Sequence, residues 1–143
     1  MNPPAIELTE GLSGLAPGRA LDLACGRGRH AVWLRDRGWA VTGVDIAVED
    51  IDGVTCVRAD LERDGFPIKP GAWDLIVCWL YWQEDLLVSI AAGVRAGGVV
   101  GLAGKVGGRF ATSLARYRLA FAGWEEIGAG QDEFKAFFIA RRR

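Results

Sequence analysis

Histidine is almost missing from this 143-residue chain: His30 is the only one. Three cysteines, Cys25, Cys56 and Cys78, make an odd set, and no two have C-x-x-C spacing. With so few nitrogen and sulfur ligands, no structural zinc site or other metal is expected. The cysteines read as reduced core thiols, which suits a cytoplasmic protein. No charge excess is present either. Seventeen Lys and Arg face eighteen Asp and Glu, a net charge of -1. That balance argues against a partner in nucleic acid or an anionic membrane. The longest apolar run, LIVCWLYW from Leu75 to Trp82, is far too short to cross a bilayer. The first residues, MNPPAIELTEGLSG, have neither a basic start nor an apolar centre, so no signal peptide is expected.

What remains is an ordinary globular composition, half of it hydrophobic, and residues 1–143 read as one domain. Short apolar runs alternate with helix-period segments. Residues 19–24 (RALDLA), 40–45 (AVTGVD), 54–60 (VTCVRAD), 74–78 (DLIVC) and 99–104 (VVGLAG) have the pattern of buried strands. Residues 29–37 predict a helix stopped by Gly38. A second helix is predicted over residues 84–95, with Glu84 and Asp85 in its first turn, Arg95 in its last, and Gly97-Gly98 as its stop. Phe110, Leu114, Tyr117 and Phe121 repeat at helical spacing before Gly123 and predict a third. Residues 124–128 and 134–141 predict a closing antiparallel hairpin across GAGQDE. Arg141, Arg142 and Arg143 read as a solvated basic end. Alternation of this kind implies an α/β fold with a parallel sheet, and ligands of such sheets sit at the carboxyl ends of the strands.

Only eight residues, 46–53, connect the second strand to the third. A crossover with its helix needs about 10–12, and eight extended residues reach only about 26 Å. The second crossover helix is therefore expected to be shortened or absent. The sheet face there should then lie bare, which predicts a homodimer burying it. A lead of about twenty residues before the first strand leaves little material for a lid.

The first unit, ALDLACGRGRHAVWLRDRGWAVTGVD, carries the chemistry. Gly26, Gly28 and Ala31 satisfy G-x-G-x-x-G/A, and Asp45 follows Gly26 by nineteen residues, the spacing of an acid that holds ribose hydroxyls. Gly26 and Gly28 have no Cβ to block close backbone approach. A nicotinamide dinucleotide fits this pattern in isolation. Asp22, just before the turn, argues against it, because a carboxylate repels a pyrophosphate and welcomes a cationic donor. Asp60, ending the third strand, offers an acceptor to an adenine amine.

In order along the chain, LDLACGRGRHA, VTGVD, VRADL, WDLIVCWLYW and VRAGGVVGLAG resemble the successive motifs of class I S-adenosylmethionine-dependent methyltransferases. The similarity is greatest to the small bacterial branch of tellurite-resistance and thiopurine methyltransferases. It implies a Rossmann-like, doubly wound, mostly parallel seven-stranded sheet with an antiparallel C-terminal hairpin. It implies S-adenosylmethionine as cofactor and S-adenosylhomocysteine as its product. Ala24, Cys25, Gly26 and Gly28 would turn around the methionine moiety, with Asp22 beneath. Asp45 and Ile46 would hold the ribose, and Ala59, Asp60 and Leu61 the adenine. Cys78 would offer its carbonyl to the ammonium group, and Trp79 to Trp82 would lie where the methyl group emerges. The family usually has Gly where this chain has Ala24, whose methyl narrows the space beside the donor.

Methyl transfer is an in-line displacement from an already activated sulfonium, so the protein need only align the acceptor. No convincing general base is visible. His30, Tyr81 and Glu84 are the candidates, with Asp85 beside them, and His30 reads equally as a local hydrogen-bonding residue. Tyr81 and Trp82 are either rim aromatics or a wall against the sulfonium cation. Lys105 and Arg109 read as solvated loop charges. These features predict a methyltransferase of small molecules whose acceptor is soft or already ionised. A donor-binding module that is inactive alone or needs a partner, and an NAD-dependent oxidoreductase, are the competing readings.

Overall fold

A computed structural model describes residues 2–143. One sheet organises the chain. Its strands are β1 (Arg19–Leu23), β2 (Ala40–Asp45), β3 (Val54–Arg58), β4 (Trp73–Trp79), β5 (Val94–Lys105), β6 (Glu125–Gln131) and β7 (Lys135–Arg141). Four helices accompany it: α1 (Ile6–Leu12), α2 (Arg29–Asp36), α3 (Leu86–Gly93) and α4 (Leu114–Ala120). The strand order is β3-β2-β1-β4-β5-β7-β6. β3, β2, β1, β4 and β5 run parallel, while β7 runs antiparallel to both its neighbours. The order reverses between β1 and β4, the place where such sheets open a crevice for ligand.

The sheet separates two cores because successive side chains of a strand point to opposite faces. On one face, Leu8 and Leu12 of α1 and Ala31 and Leu34 of α2 pack on Leu75 and Val77. On the other, Leu86, Leu87 and Ile90 of α3 join Tyr117 and Phe121 on Leu21, Ile76 and Phe138.

The second crossover has no helix, as the length of the connection requires. The expected bare face is nevertheless filled. Ile51 of the connection occupies the space that a Cβ at Gly28 would need. Cys25 Sγ would lie 3.2 Å from a Cβ at Gly43, and Arg35 reaches over to donate to the Asp52 carbonyl at 2.6 Å. Among the described residues, no exposed large apolar side chain lies on β2 or β3. The reason for expecting a homodimer therefore falls away.

Other expectations shift with packing. α3 begins after Glu84 and Asp85, and it ends at Gly93 because Val94 is extended and fully buried in β5. Arg95 is thus a strand residue, pairing with Asp74, and Gly97-Gly98 lie inside β5. Phe110 is off α4 and exposed. That helix starts where Ser113 accepts the Arg116 amide. GAGQ is part of β6, where a Cβ at Gly130 would lie 2.7 Å from the Phe137 ring. β6 forms the polar edge and β7, with Ala136, Phe138, Ile139 and Ala140 buried, sits inside. Two of the three terminal arginines are engaged rather than solvated. Arg141 donates to Gly97 O, and Arg142 donates to Val94 O at 2.6 Å and Ala91 O at 3.1 Å. Arg142 thereby serves carbonyls at the end of α3 that the helix leaves unpaired. Among the described residues, no helix is long and apolar enough to cross a membrane.

Candidate functional site

β1 delivers its last residue, Leu23, to a turn whose backbone leaves the right-handed region at every second residue. Ala24 has φ 54°, Gly26 φ 57° and Gly28 φ 89°. Gly28 is the N-cap of α2, and its carbonyl accepts the Val32 amide. The turn lies against Asp45, the last residue of β2. Asp45 Oδ2 accepts from Gly26 N at 2.9 Å, and Oδ1 accepts from Ala47 N at 3.0 Å. Each carboxylate oxygen has a second acceptor direction still to offer.

Three cavities meet at this turn. The first, about 420 Å³, lies over the end of β1 and is lined by Asp22, Ala24, Cys25, Gly26, His30 and Trp79, together with Asn2, Arg27 and Arg29. The second, about 750 Å³, shares Gly26 and Arg27 with it and passes outside Asp45 along the short crossover. The third, about 360 Å³, shares Ala24 with the first and Asp45 with the second. Ile46, Ala59, Asp60, Leu61, Glu62 and Tyr81 complete its wall. Asp60 also shapes the loop it starts, accepting from Glu62 N at 3.0 Å and Arg63 N at 3.3 Å.

Of the twelve residues expected to surround the donor, only Gly28 and Cys78 line none of these cavities. Gly28 acts through the turn itself. Cys78, expected to contribute only its backbone carbonyl, keeps its side chain out of them. Its side chain points to the α3 and α4 face, with Sγ 3.9 Å from Tyr81 O, and burial pushes its thiol up to about 12. Alternation along β4 puts the next residue, Trp79, on the cavity side instead.

The cavity floor is electrostatically unusual. Asp22 is 2% exposed, and its Oδ2 has no hydrogen-bond partner among the described residues. Burial, and then the nearby Asp45, push its carboxyl up to about 7, against the Ala31 amide and Arg29. A buried acceptor without a donor is costly, and here it borders an open cavity.

The candidate bases are not arranged as bases. His30 is buried, and its Nε2 accepts the Ala5 amide at 3.1 Å. Burial and Arg29 lower its pKa to about 4. Tyr81 donates to Gln83 Oε1 at 2.6 Å, and burial raises its pKa to about 12. Glu84 lies away from the cavities, paired with Arg116 in the groove between α3 and α4. Asp85 caps α3 by position alone, with no side-chain bond. Trp82 belongs to that groove too, edge-on to Tyr117 at 5.5 Å. Lys105 and Arg109 are exposed, and Arg109 lies over Phe110.

Sequence patterning alone gave no sign of two features. Leu80, following Trp79, has φ 58° and donates its amide to Ala103 O at 2.8 Å. Ala24 and Leu80 are thus, among the described residues, the non-glycine ones in the left-handed region, and both sit at the carboxyl edge, where strain collects at functional sites. Ala24→Gly should relieve part of about 1–2 kcal/mol of strain, offset by about 0.5–1 kcal/mol of unfolded-state entropy. The expected result is a small rise in Tm, about 2 °C, read by thermal unfolding. A lower Tm would show that the Ala24 methyl packs usefully. Asn2, the second feature, reaches this cavity only because the fold brings the N-terminal segment back.

A family model described as a methyltransferase domain matches residues 4–84, more than half of the chain. The crystal structure of TehB from Haemophilus influenzae superposes with a TM-score of 0.77 at 15% identity, covering 96% of this chain and 62% of that one. A Burkholderia thailandensis 1,6-didemethyltoxoflavin-N1-methyltransferase, solved with 1,6-didemethyltoxoflavin and S-adenosylhomocysteine bound, gives 0.69 at 18% identity. It covers 94% of this chain and 74% of that one. The ribosomal RNA small subunit methyltransferase C of Alcanivorax borkumensis is 37% identical over 60 residues, 42% of this chain and 18% of that protein. The chain thus spans less than two thirds of TehB and under a fifth of the ribosomal RNA enzyme. Its glycine turn, the acid at the end of β2, the strand order and the family match agree: the chain belongs to the methyltransferase domain family and has the Rossmann-like fold of S-adenosylmethionine-dependent methyltransferases.

Proposed function

We propose that this chain acts as a single S-adenosylmethionine-binding domain that transfers the donor's methyl group to a small-molecule acceptor. The observation that carries the reading is the buried Asp22 carboxyl, whose Oδ2 has no hydrogen-bond partner among the described residues, beside an open cavity that continues, across Gly26 and Asp45, to Asp60. A sulfonium donor has an ammonium group at one end, a ribose diol in the middle and an adenine amine at the other. Asp22 faces the first, Asp45 the second and Asp60 the third. Ala59, Leu61 and Ile46 give the ring apolar neighbours, and Gly26 lets the methionine end approach the backbone.

The acceptor would enter past Trp79, Leu80 and Tyr81. None of the candidate bases is poised to take a proton, because His30 is neutral with Nε2 occupied and Tyr81 is itself a donor. This favours an acceptor that arrives ionised or as a soft nucleophile. The near-zero net charge favours a small molecule over ribosomal RNA, where phosphate contacts need a basic face. The Burkholderia thailandensis enzyme, solved with 1,6-didemethyltoxoflavin bound, supports this reading.

Asp22 makes the donor reading measurable. Its folded pKa of about 7 is above its ordinary value of 3.8. The ligand-free fold therefore holds a proton that the unfolded chain releases, and this contribution to stability is lost as pH rises from about 4 to about 7. An ammonium group placed beside Asp22 lowers that pKa, so binding near pH 6.5 should release a proton. Titration with S-adenosylhomocysteine in two buffers of different ionisation enthalpy should give different heats, and Asp22→Asn should abolish the difference. Equal heats for the wild type would remove Asp22 from the ammonium site. Incubation with S-adenosylmethionine and a panel of thiol, selenide, phenol and heteroaromatic acceptors, beside ribosomal RNA, should give methylated small molecules. Methylation of RNA alone would overturn the acceptor class.

A further inference from the structure

The segment before α1 does more than lead into the first helix. Residues 2–5 pass beside the cavity over β1, and Asn2 forms part of its wall. Two consecutive side chains hold this segment. Arg29 Nη1 donates to Pro3 O at 3.1 Å, and His30 Nε2 accepts from Ala5 N at 3.1 Å. Arg29 and His30 are the first two residues of α2, immediately after Gly28 of the donor turn. Ala5 is the N-cap of α1 and has no side chain able to cap. The acceptor supplied by His30 therefore engages the amide at the point where α1 begins. Beyond it, α1 is fixed by Leu8 and Leu12, which are buried, and by the ion pair of Glu7 with Lys135.

We infer that His30 and Arg29 are positioning residues that strap residues 2–5 across the methionine end of the donor site, with Asn2 as a wall of that site. The inference rests on the donor reading above. Strap and donor turn share one scaffold, the first turn of α2, so a donor seated on the turn lies beneath a segment held by the same helix. The donor then leaves when the strap lifts. His30 is suited to this role because it stays neutral: burial and Arg29 hold its pKa at about 4, so Nε2 remains an acceptor. It is unsuited to being a base for the same reason, since its lone pair is already used. Its ring also stands edge-on to Trp79 at 5.9 Å, which ties the latch to the far wall of the cavity.

The test is stopped-flow dissociation of S-adenosylhomocysteine, with amide hydrogen exchange at Ala5 as a ligand-free readout. Asn2→Ala removes the wall at an exposed position and should not disturb folding. His30→Leu removes the acceptor, and His30→Gln restores one through its amide oxygen. Loss of the Ala5–His30 hydrogen bond predicts about tenfold faster dissociation for His30→Leu, and Asn2→Ala, which opens the wall, should also speed dissociation. Ala5 exchange should quicken in His30→Leu, and His30→Gln should recover part of both effects. If the wild type binds and both variants keep its dissociation rate, the strap is only a support for α1 and the inference fails alone. A well-folded wild type that does not bind S-adenosylhomocysteine overturns the donor reading and the strap with it.

Discussion

Asp45→Ala is expected to weaken S-adenosylhomocysteine binding by about 100-fold or more in a calorimetric titration. In the proposed complex, two ribose hydroxyls donate to one carboxylate, and hydrogen bonds to charged groups contribute about 1.5–3 kcal/mol each. Losing two therefore removes at least about 3 kcal/mol, which is about 100-fold in Kd. The carboxylate also ties the turn together, through Gly26 N on Oδ2 and Ala47 N on Oδ1. Both amides are near solvent, so water replaces the carboxylate and the fold should survive. Asp45 is also the second cause of the raised Asp22 pKa, so the variant should ionise Asp22 at lower pH. Asp45→Asn keeps the shape but removes the charge, and its amide nitrogen would face either Gly26 N or Ala47 N and leave that donor without an acceptor. A Kd within threefold of wild type for Asp45→Ala would remove the ribose from this acid.

The largest loss of stability is expected at Phe138. It is 1% exposed on β7, between Tyr117, stacked with ring centroids 6.3 Å apart, and Phe121 at 5.7 Å. These rings join the antiparallel strand to α4 and its C-terminal turn. Phe138→Ala removes the middle ring and leaves a cavity among side chains that strands and helix hold apart. Such truncations cost about 3–5 kcal/mol, a large share of the about 5–15 kcal/mol that holds a domain folded. Urea unfolding should show a much lower midpoint with an unchanged m value. A loss under about 1 kcal/mol would mean that α4 collapses onto the sheet and is less tightly fixed than its packing indicates.

Much of the frame was legible in the sequence because it depends on short-range rules. Strand and helix alternate in the periodicity, and Ala40–Asp45 matches its expected bounds. The missing helix between β2 and β3 follows from chain reach, which no packing can lengthen. The acids that face the cavities were legible for the same reason. Asp45 ends β2, Asp22 is one residue short of the end of β1 and Asp60 lies two residues past the end of β3, and a residue so placed on a parallel strand lies near the carboxyl edge whatever surrounds it. The positive φ at Gly26 and Gly28 is a local requirement that only glycine meets without strain.

Tertiary structure decided whatever depends on which partner a segment meets. Cys78 and Trp79 are adjacent in sequence, and only the placement of α2 on one face and α3 on the other makes Trp79 the cavity wall. Arg95 and Gly97-Gly98 read as a helix end, but Val94 is fully buried when extended, and that burial outweighs the local signal. Phe110 fits a helical stripe that has no core to cover at that point. Arg142 became an anchor because β7 ends beside α3, and His30 became a latch because α1 returns over β1. Periodicity reaches a few residues along the chain, whereas these roles join residues 25 to 51 positions apart, and only the packed sheet brings them together.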